Sequence, residues 1–235
     1  SFEIHTSGTT GSPKKIEVLL KNCIRNVKYQ DESSARIWGM CYPIQTFAST
    51  QVFFQALFNK EEIVYAFSNQ FGKVNEYLLE NKVTNITSTP TFLTMLVLNS
   101  SKNNNFIRVI TVGGEIVTNR HMNIFKDFFP NARFVNIYAS TEAGSLLKSD
   151  GNVFHIPNMY KNLIRIKDSE LLIHRDLINN SSNNRFVNEW FLTGDIVEIT
   201  KLNKFRFIGR KTNYVKIGGY KVQPEDIEKE ILDIK

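Results

Sequence analysis

Between Ile16 and Tyr138, short runs rich in β-branched and aromatic residues alternate with longer stretches of helical periodicity, which leaves the chain few ways to fold. Strands separated by helices cannot pair as tight hairpins. Each returns through a crossover, and the natural solution is a largely parallel sheet with helices packed on it. Strands are expected at residues 36–41, 62–66, 83–87, 108–112 and 133–138, and helices at 50–59, 73–81, 90–98 and 119–129. Pro90 opens the third of these helices, where its missing N–H costs nothing. After Ser149 the texture changes to short, closely spaced strands, at 171–174, 196–200 and 205–208, which reads as a smaller β-rich subdomain. The run Asn179-Asn180-Ser181-Ser182-Asn183-Asn184 has no apolar residue to bury and is expected to be a mobile loop. A last helix is expected from Pro224, with Glu225, Asp226 and Glu228 suited to its N-terminal dipole and Ile227 and Ile231 on one face. The stretch 213–235 is too short to bury a core of its own, so the chain reads as truncated there.

Composition narrows the class. With 235 residues, 42% of them hydrophobic, the chain is an ordinary globular one. It has no run of about 18 apolar residues to span a membrane, and Lys14, Lys15 and Lys21 interrupt what a signal peptide would need. A soluble cytoplasmic protein is expected. Cys23 and Cys41 lie in apolar surroundings without metal spacing and read as buried thiols, while His5, His121, His155 and His174 are too scattered to form a metal site. The net charge of +6 favours polyanions, yet the lysines are interspersed with Asp and Glu. A nucleic-acid partner is therefore not expected, and a nucleoside triphosphate suits the same field.

The segment Thr6-Ser7-Gly8-Thr9-Thr10-Gly11-Ser12-Pro13-Lys14-Lys15 has the composition of a phosphate grip. Glycines let backbone N–H groups face an anion, hydroxyls donate further bonds, and lysine adds charge. An ordinary surface turn has the same composition, and the Walker pattern fails because Pro13 stands where its second glycine belongs. Four further motifs follow in order: Gly113-Gly114-Glu115, Tyr138-Ala139-Ser140-Thr141-Glu142, Thr193-Gly194-Asp195, and Gly209-Arg210 leading to Lys216-Ile217-Gly218-Gly219-Tyr220-Lys221-Val222. Two of these have plainer readings as well. Thr141 suits a helix cap, Tyr138 a core aromatic at a strand end, and Thr-Gly-Asp a turn.

Together the five motifs resemble the adenylate-forming superfamily of acyl- and aryl-CoA synthetases, peptide-synthetase adenylation domains and luciferases, from the first residues nearly to the last. The resemblance implies an α/β fold: a parallel-sheet αβα core that binds nucleotide and acyl group (residues 1–149), a smaller β-rich subdomain (150–211), and a hinge with only the start of a C-terminal α+β subdomain (212–235). It also implies ATP-dependent activation of a small carboxylic acid as an acyl-adenylate, with Mg²⁺, then transfer to the thiol of coenzyme A or phosphopantetheine. An acyl carrier protein would be the partner in the second case.

By the same resemblance, Thr6, Ser7, Gly8, Thr9, Thr10, Gly11 and Lys14 hold the β- and γ-phosphates, and Gly113, Gly114, Glu115 and Tyr138 belong to the nucleotide site, with Tyr138 on adenine. Thr141 meets the α-phosphate or the acid, Glu142 binds the metal, and Asp195 with Arg210 holds the ribose. Thr212 occupies the hinge position and Lys216 approaches the thiol. Lys15 replaces a usual glycine and Thr212 a usual Asp or Lys. The family's adenylating lysine and a substantial N-terminal portion lie outside this chain, which opens at Ser1 without a methionine, so the chain is expected to bind nucleotide but adenylate poorly.

Amino-acid-activating members place an Asp after the phosphate loop for the substrate's amine, but Phe47-Ala48-Ser49-Thr50 offers none, and Thr46 replaces a common His or aromatic. That favours an acyl- or aryl-CoA ligase. Glu115 after the paired glycines instead resembles the amino-acid-activating branch. A non-catalytic nucleotide-binding module is the alternative from another class.

Overall fold

A computed structural model describes residues 1–6, 14–29, 36–179, 185–201, 203–211, 215–217 and 220–222, together with Pro224, Ile227 and Ile231. The chain divides into two compact units, Ser1–Gly151 with Ile178–Ser182, and Asn152–Leu177 with Asn183–Lys235.

In the first unit, β1 (Phe2–Thr6) and β2 (Lys14–Val18) form an antiparallel hairpin followed by the short helix α1 (Leu20–Ile24). The alternation then unfolds as expected: β3 (Ile37–Met40), α2 (Phe47–Asn59), β4 (Glu62–Tyr65), α3 (Phe71–Glu80), β5 (Asn85–Ser88), α4 (Pro90–Leu98), β6 (Val109–Gly113), α5 (Asn119–Phe128) and β7 (Arg133–Ser140). β8 (Gly144–Ser149) closes the sheet, whose order is β4-β3-β5-β6-β7-β8. All neighbours are parallel except β7 and β8.

The chain steps outward from β3 to β4, then back across β3 to β5, and right-handed crossovers then require α2 and α3 to cover opposite faces. The side chains bear this out through the period of two along a strand. Trp38 and Met40 of β3 pack on Val52 and Ala56 of α2. On the other face Ile86, Ile110, Val112 and Phe134 meet Leu78 of α3, Leu93 and Leu96 of α4, and Phe125 of α5.

Threonines start three of the helices. Thr46 Oγ1 accepts from Ser49 N–H, Thr89 Oγ1 from Phe92 N–H with Pro90 in the first turn, and Thr118 Oγ1 from His121 N–H. The cap at Thr46 draws Phe47, Ala48 and Ser49 into α2, which therefore begins three residues before the expected start at residue 50. Cys23 and Cys41 are buried as expected, and burial pushes both thiols up to about 12.

In the second unit, β9 (Phe154–His155), β10 (Ile164–Lys167), β11 (Glu170–His174), β12 (Phe186–Val187), β13 (Trp190–Lys201) and β14 (Lys204–Arg210) form one antiparallel sheet in the order β10-β11-β13-β14-β9, with β12 also on β13. Ile164, Leu171, Ile173, Phe191, Val197 and Phe205 are buried within it. A separate hairpin pairs β15 (Val215–Ile217) with β16 (Tyr220–Val222). The expected terminal helix lies mostly outside the described residues, of which Pro224, Ile227 and Ile231 are helical.

His121 is a half-buried histidine with a structural role. Its Nδ1 accepts from Thr118 N–H at 3.3 Å, completing a capping box, and its ring stacks on Phe125. Burial, foremost, holds the imidazole below its ordinary value of 6.5, with Glu115 acting upward and Arg120 downward. Because the folded chain takes up this proton less readily than the unfolded one, stability from His121 is full above pH 6.5 and is lost as the pH falls toward the lowered folded value. Urea unfolding at pH 7.5 and pH 5 is expected to show a smaller pH-dependent loss for His121→Gln than for the wild type.

Candidate functional site

The register of β6 and β7 ends at Gly113 opposite Ile137, which sets Gly113-Gly114-Glu115 beside Tyr138 at the C-terminal edge of the parallel strands. Open α/β sheets bind ligands at this edge. β7 continues past it and pairs antiparallel with β8, Tyr138 opposite Leu147 and Ser140 opposite Gly144, with a register shift after Tyr138. Thr141, Glu142 and Ala143 form the turn between these strands. The reading of Thr141 as a helix cap is thereby corrected: no helix follows, and Ser140 Oγ accepts from Ala143 N–H at 3.1 Å.

A strand reversal this tight leaves peptide groups outside the ladder, and here each carbonyl of the turn finds a partner. Asn179 Nδ2 donates to Thr141 O at 2.6 Å and Asn179 N–H to Glu142 O at 2.5 Å. Arg25 Nη1 donates to Ala143 O at 3.1 Å, and Asn26 Nδ2 donates to Ser145 O. Arg25 Nη2 also donates to Asn22 Oδ1, and Asn22 Nδ2 donates to Asn179 Oδ1 at 2.7 Å. Ala143 is fully buried beneath the turn, while Thr141 and Glu142 are half-buried. Asn179, expected in a mobile loop, is only 2% exposed. Asn180 to Asn184 lie outside the described residues.

The Glu115 carboxylate is already engaged. Its Oε2 accepts from Thr91 N–H at 2.9 Å and Thr91 Oγ1 at 2.6 Å, at the start of α4. The Glu142 carboxylate has no ion pair with any described residue. Among the described residues no cluster of acids, histidines and cysteines is built to enclose a metal. A lone carboxylate beside a hydroxyl fits Mg²⁺, which keeps most of its shell as water and substrate phosphate. Phe47 and Ser49 are buried in the first turn of α2, Ser49 Oγ donating to Pro43 O at 2.7 Å. A Cβ on Gly144 would lie 3.6 Å from Phe47 Cζ, so this segment adjoins the Thr141–Ala143 turn.

Thr6 and Lys14 form the last pair of the β1–β2 hairpin, so the glycine-rich segment joins two antiparallel strands. Ser7, Gly8, Thr9, Thr10 and Gly11 lie outside the described residues, as does Thr212. Lys216 pairs with Lys221 across β15 and β16.

In the second unit Asp195 stands opposite Arg210, and Arg210 Nε reaches Asp195 Oδ1 at 2.7 Å. The Thr-Gly-Asp segment is a bulge inside β13 rather than a loop turn: pairing with β11 jumps from Leu192 to Ile196. Buried Glu170 holds it, accepting from Gly194 N–H at 2.8 Å, while Thr193 Oγ1 donates to Leu171 O. Gly194, at φ 78°, meets the left-handed conformation that the bulge needs. Glu170 had a signal in the sequence, an acid opening the apolar run Leu171-Leu172-Ile173.

A model of the AMP-binding enzyme family matches residues 2–162, more than half of the chain. The chain belongs to the AMP-binding enzyme family. This agrees with its resemblance to adenylate-forming enzymes. Similar family proteins include surfactin synthase subunit 2 of Bacillus subtilis (strain 168), 24% identical over 288 residues covering 100% of this chain and 8% of that protein. Another is the D-alanine–D-alanyl carrier protein ligase of Lactococcus lactis subsp. lactis (strain IL1403), 23% identical, covering 100% of this chain and 53% of the ligase. Among solved structures, O-succinylbenzoate coenzyme A synthetase from Bacillus subtilis, in complex with ATP and magnesium ion, superposes with a TM-score of 0.73 at 17% identity, over 98% of this chain and 54% of that one. The chain thus spans about half of the ligase and the synthetase and a far smaller share of the surfactin synthase.

Gly144 tests how tightly the turn is held. It sits at φ 72°, and an added Cβ would come within 2.9 Å of Asn22 O. Gly144→Ala is expected to cost about 3 kcal/mol from the positive φ and the backbone clash together, read as a lowered urea midpoint.

Proposed function

We propose that this chain is the nucleotide- and acid-binding part of a ligase that activates a carboxylic acid with ATP, forming an acyl-adenylate and pyrophosphate, and passes the acyl group to a thiol. The thiol is that of coenzyme A, or of phosphopantetheine on a carrier protein. The observation that carries this reading is the β7–β8 corner, where Tyr138, Thr141 and Glu142 follow Gly113-Gly114-Glu115 across the sheet edge on a backbone whose carbonyls are individually bonded.

The reaction brings a carboxylate oxygen to the α-phosphorus of ATP while the bond to pyrophosphate breaks. Both reactants are anions, so positioning and preorganised positive potential supply most of the acceleration. On this reading Glu142 and Thr141 hold Mg²⁺ and the α-phosphate or acid, Tyr138 meets adenine, and the segment Thr6 to Gly11 with Lys14 receives the departing pyrophosphate. Bound Mg²⁺ supplies charge neutralisation across the phosphates. Asp195 accepts from the ribose hydroxyls, with Arg210 fixing its carboxylate; the 2.7 Å contact between them supports that pairing. Lys216 serves the thiol step after a swing at Thr212.

The acid is one without an ammonium group, in an acyl- or aryl-CoA ligase. Ala48 leaves the first turn of α2 without a carboxylate, and Glu115, whose position suggested an amino-acid substrate, is engaged at the N-terminus of α4. A second reading, an amino-acid-activating domain serving a carrier protein, is favoured by similarity to the surfactin synthase and the D-alanine ligase.

Acid-dependent pyrophosphate release by the complete protein with Mg·ATP, screened across fatty, aromatic and amino acids, separates the readings. Release with fatty or aromatic acids is expected, and Glu142→Gln is expected to lower it about 100-fold, the scale of losing a metal-site group. Release only with amino acids would establish the second reading. ATP binding without release for any acid would leave a non-catalytic nucleotide-binding module.

A further inference from the structure

We propose that Asn179 is a positioning residue for Thr141 and Glu142, and that with Asn22 and Arg25 it couples their turn to the end of the glycine-rich hairpin; this rests on the reading of Glu142 as a metal ligand. Asn179 is 2% exposed and uses both ends of its amide. Oδ1 accepts from Leu19 N–H at 3.1 Å and from Asn22 Nδ2 at 2.7 Å, while Nδ2 donates to Thr141 O at 2.6 Å. Its backbone N–H donates to Glu142 O, and Arg25 Nη1 to Ala143 O. The carbonyls of Thr141, Glu142 and Ala143 are therefore all held by donors from Asn179 and the α1 region, which fixes the peptide planes from which the Thr141 and Glu142 side chains depart.

The connection to the hairpin is direct. Leu19 immediately follows β2, which begins at Lys14, so the Asn179 amide joins the strand leaving the glycine-rich segment to the turn bearing Glu142. Both elements serve the same triphosphate on the proposed reading, the hairpin at its far end and the turn nearer the reacting phosphorus. A side chain that sets their spacing controls how well metal and phosphates fit together. Ligand-supporting groups of this kind typically change metal affinity or activity by about 10- to 100-fold when removed.

Calorimetric ATP titrations of the complete protein, with excess Mg²⁺ and again in EDTA, test this through the ratio of the two affinities. Glu142→Gln is expected to bring the ratio close to one. Asn179→Ala removes all the side-chain bonds, and Asn179→Asp keeps the acceptor toward Leu19 and Asn22 but sets an oxygen against Thr141 O. Both are expected to cut the ratio about tenfold while affinity in EDTA stays within about threefold. A merely structural Asn179 would lower the melting temperature and leave the ratio of the folded variants unchanged, which would overturn the proposal. If neither Asn179 variant folds, Arg25→Gln reads the same clamp at Ala143 O: a reduced ratio is expected, and a wild-type ratio would overturn it. Wild-type protein that binds no ATP, or Glu142→Gln with an unchanged ratio, would remove the metal reading and the proposal with it. Silent Asn179 variants beside a responsive Glu142→Gln would remove the proposal alone.

Discussion

The corner where parallel pairing ends governs the first unit. β7 lies parallel to β6 on one side and antiparallel to β8 on the other, so the chain must reverse within Thr141, Glu142 and Ala143. Their carbonyls sit beyond the ladder and, left unpaired next to a buried Ala143, would each carry a desolvation cost of about 1–3 kcal/mol. Asn179 and Arg25 meet that requirement. Much else is arranged around it. α1 is too short to be stable by itself, yet it and its flanks supply Asn22, Arg25 and the Leu19 N–H. Gly144 admits the close approach of Asn22 O.

The second unit solves a similar problem by a different route. The β13 bulge takes Thr193, Gly194 and Asp195 out of register with β11, and the Gly194 N–H would otherwise face a sheet with no carbonyl to receive it. The buried Glu170 carboxylate takes it, with Lys211 Nζ 3.4 Å from its other oxygen. The bulge presents Asp195 to Arg210 of β14. A bulge inside a long strand fixes a side chain more firmly than a loop turn, because ladder bonds continue on both sides of it.

The parallel sheet was legible in the sequence because its elements carry local signals. α4 was read residue for residue, since Pro90 and the Thr89 cap mark its start and apolar residues fill it. α5 differed by a single residue at its end. β8 was not legible: Gly144-Ser145-Leu146-Leu147-Lys148-Ser149 lacks β-branched residues, and only pairing with β7 makes it a strand. α1 is too short for periodicity to show. The motif residues Tyr138, Thr141, Glu142, Asp195 and Arg210 could be named from their neighbours in sequence, but the groups that hold them could not. Asn179 sits at the head of an Asn/Ser run that reads as a loop, while its side-chain partners lie 38, 157 and 160 residues away.

The acids near the motifs divide by what already holds them. Glu115 is bonded to Thr91, Glu170 to the Gly194 N–H, and Asp195 to Arg210, so each has its charge balanced or its lone pairs engaged within the fold. The Glu142 carboxylate has no such partner among the described residues, although its backbone carbonyl accepts from Asn179 N–H. A half-buried carboxylate of this kind is ordinarily hydrated, which leaves it open to an incoming cation. On the proposed reading that cation is Mg²⁺. It requires a hard oxygen donor whose carboxylate is not already committed, and it is selective only where that donor cannot drift. On the proposed reading, the partner of the Glu142 carboxylate arrives with the nucleotide, and the bonds to the carbonyls of Thr141, Glu142 and Ala143 keep its backbone in place until then.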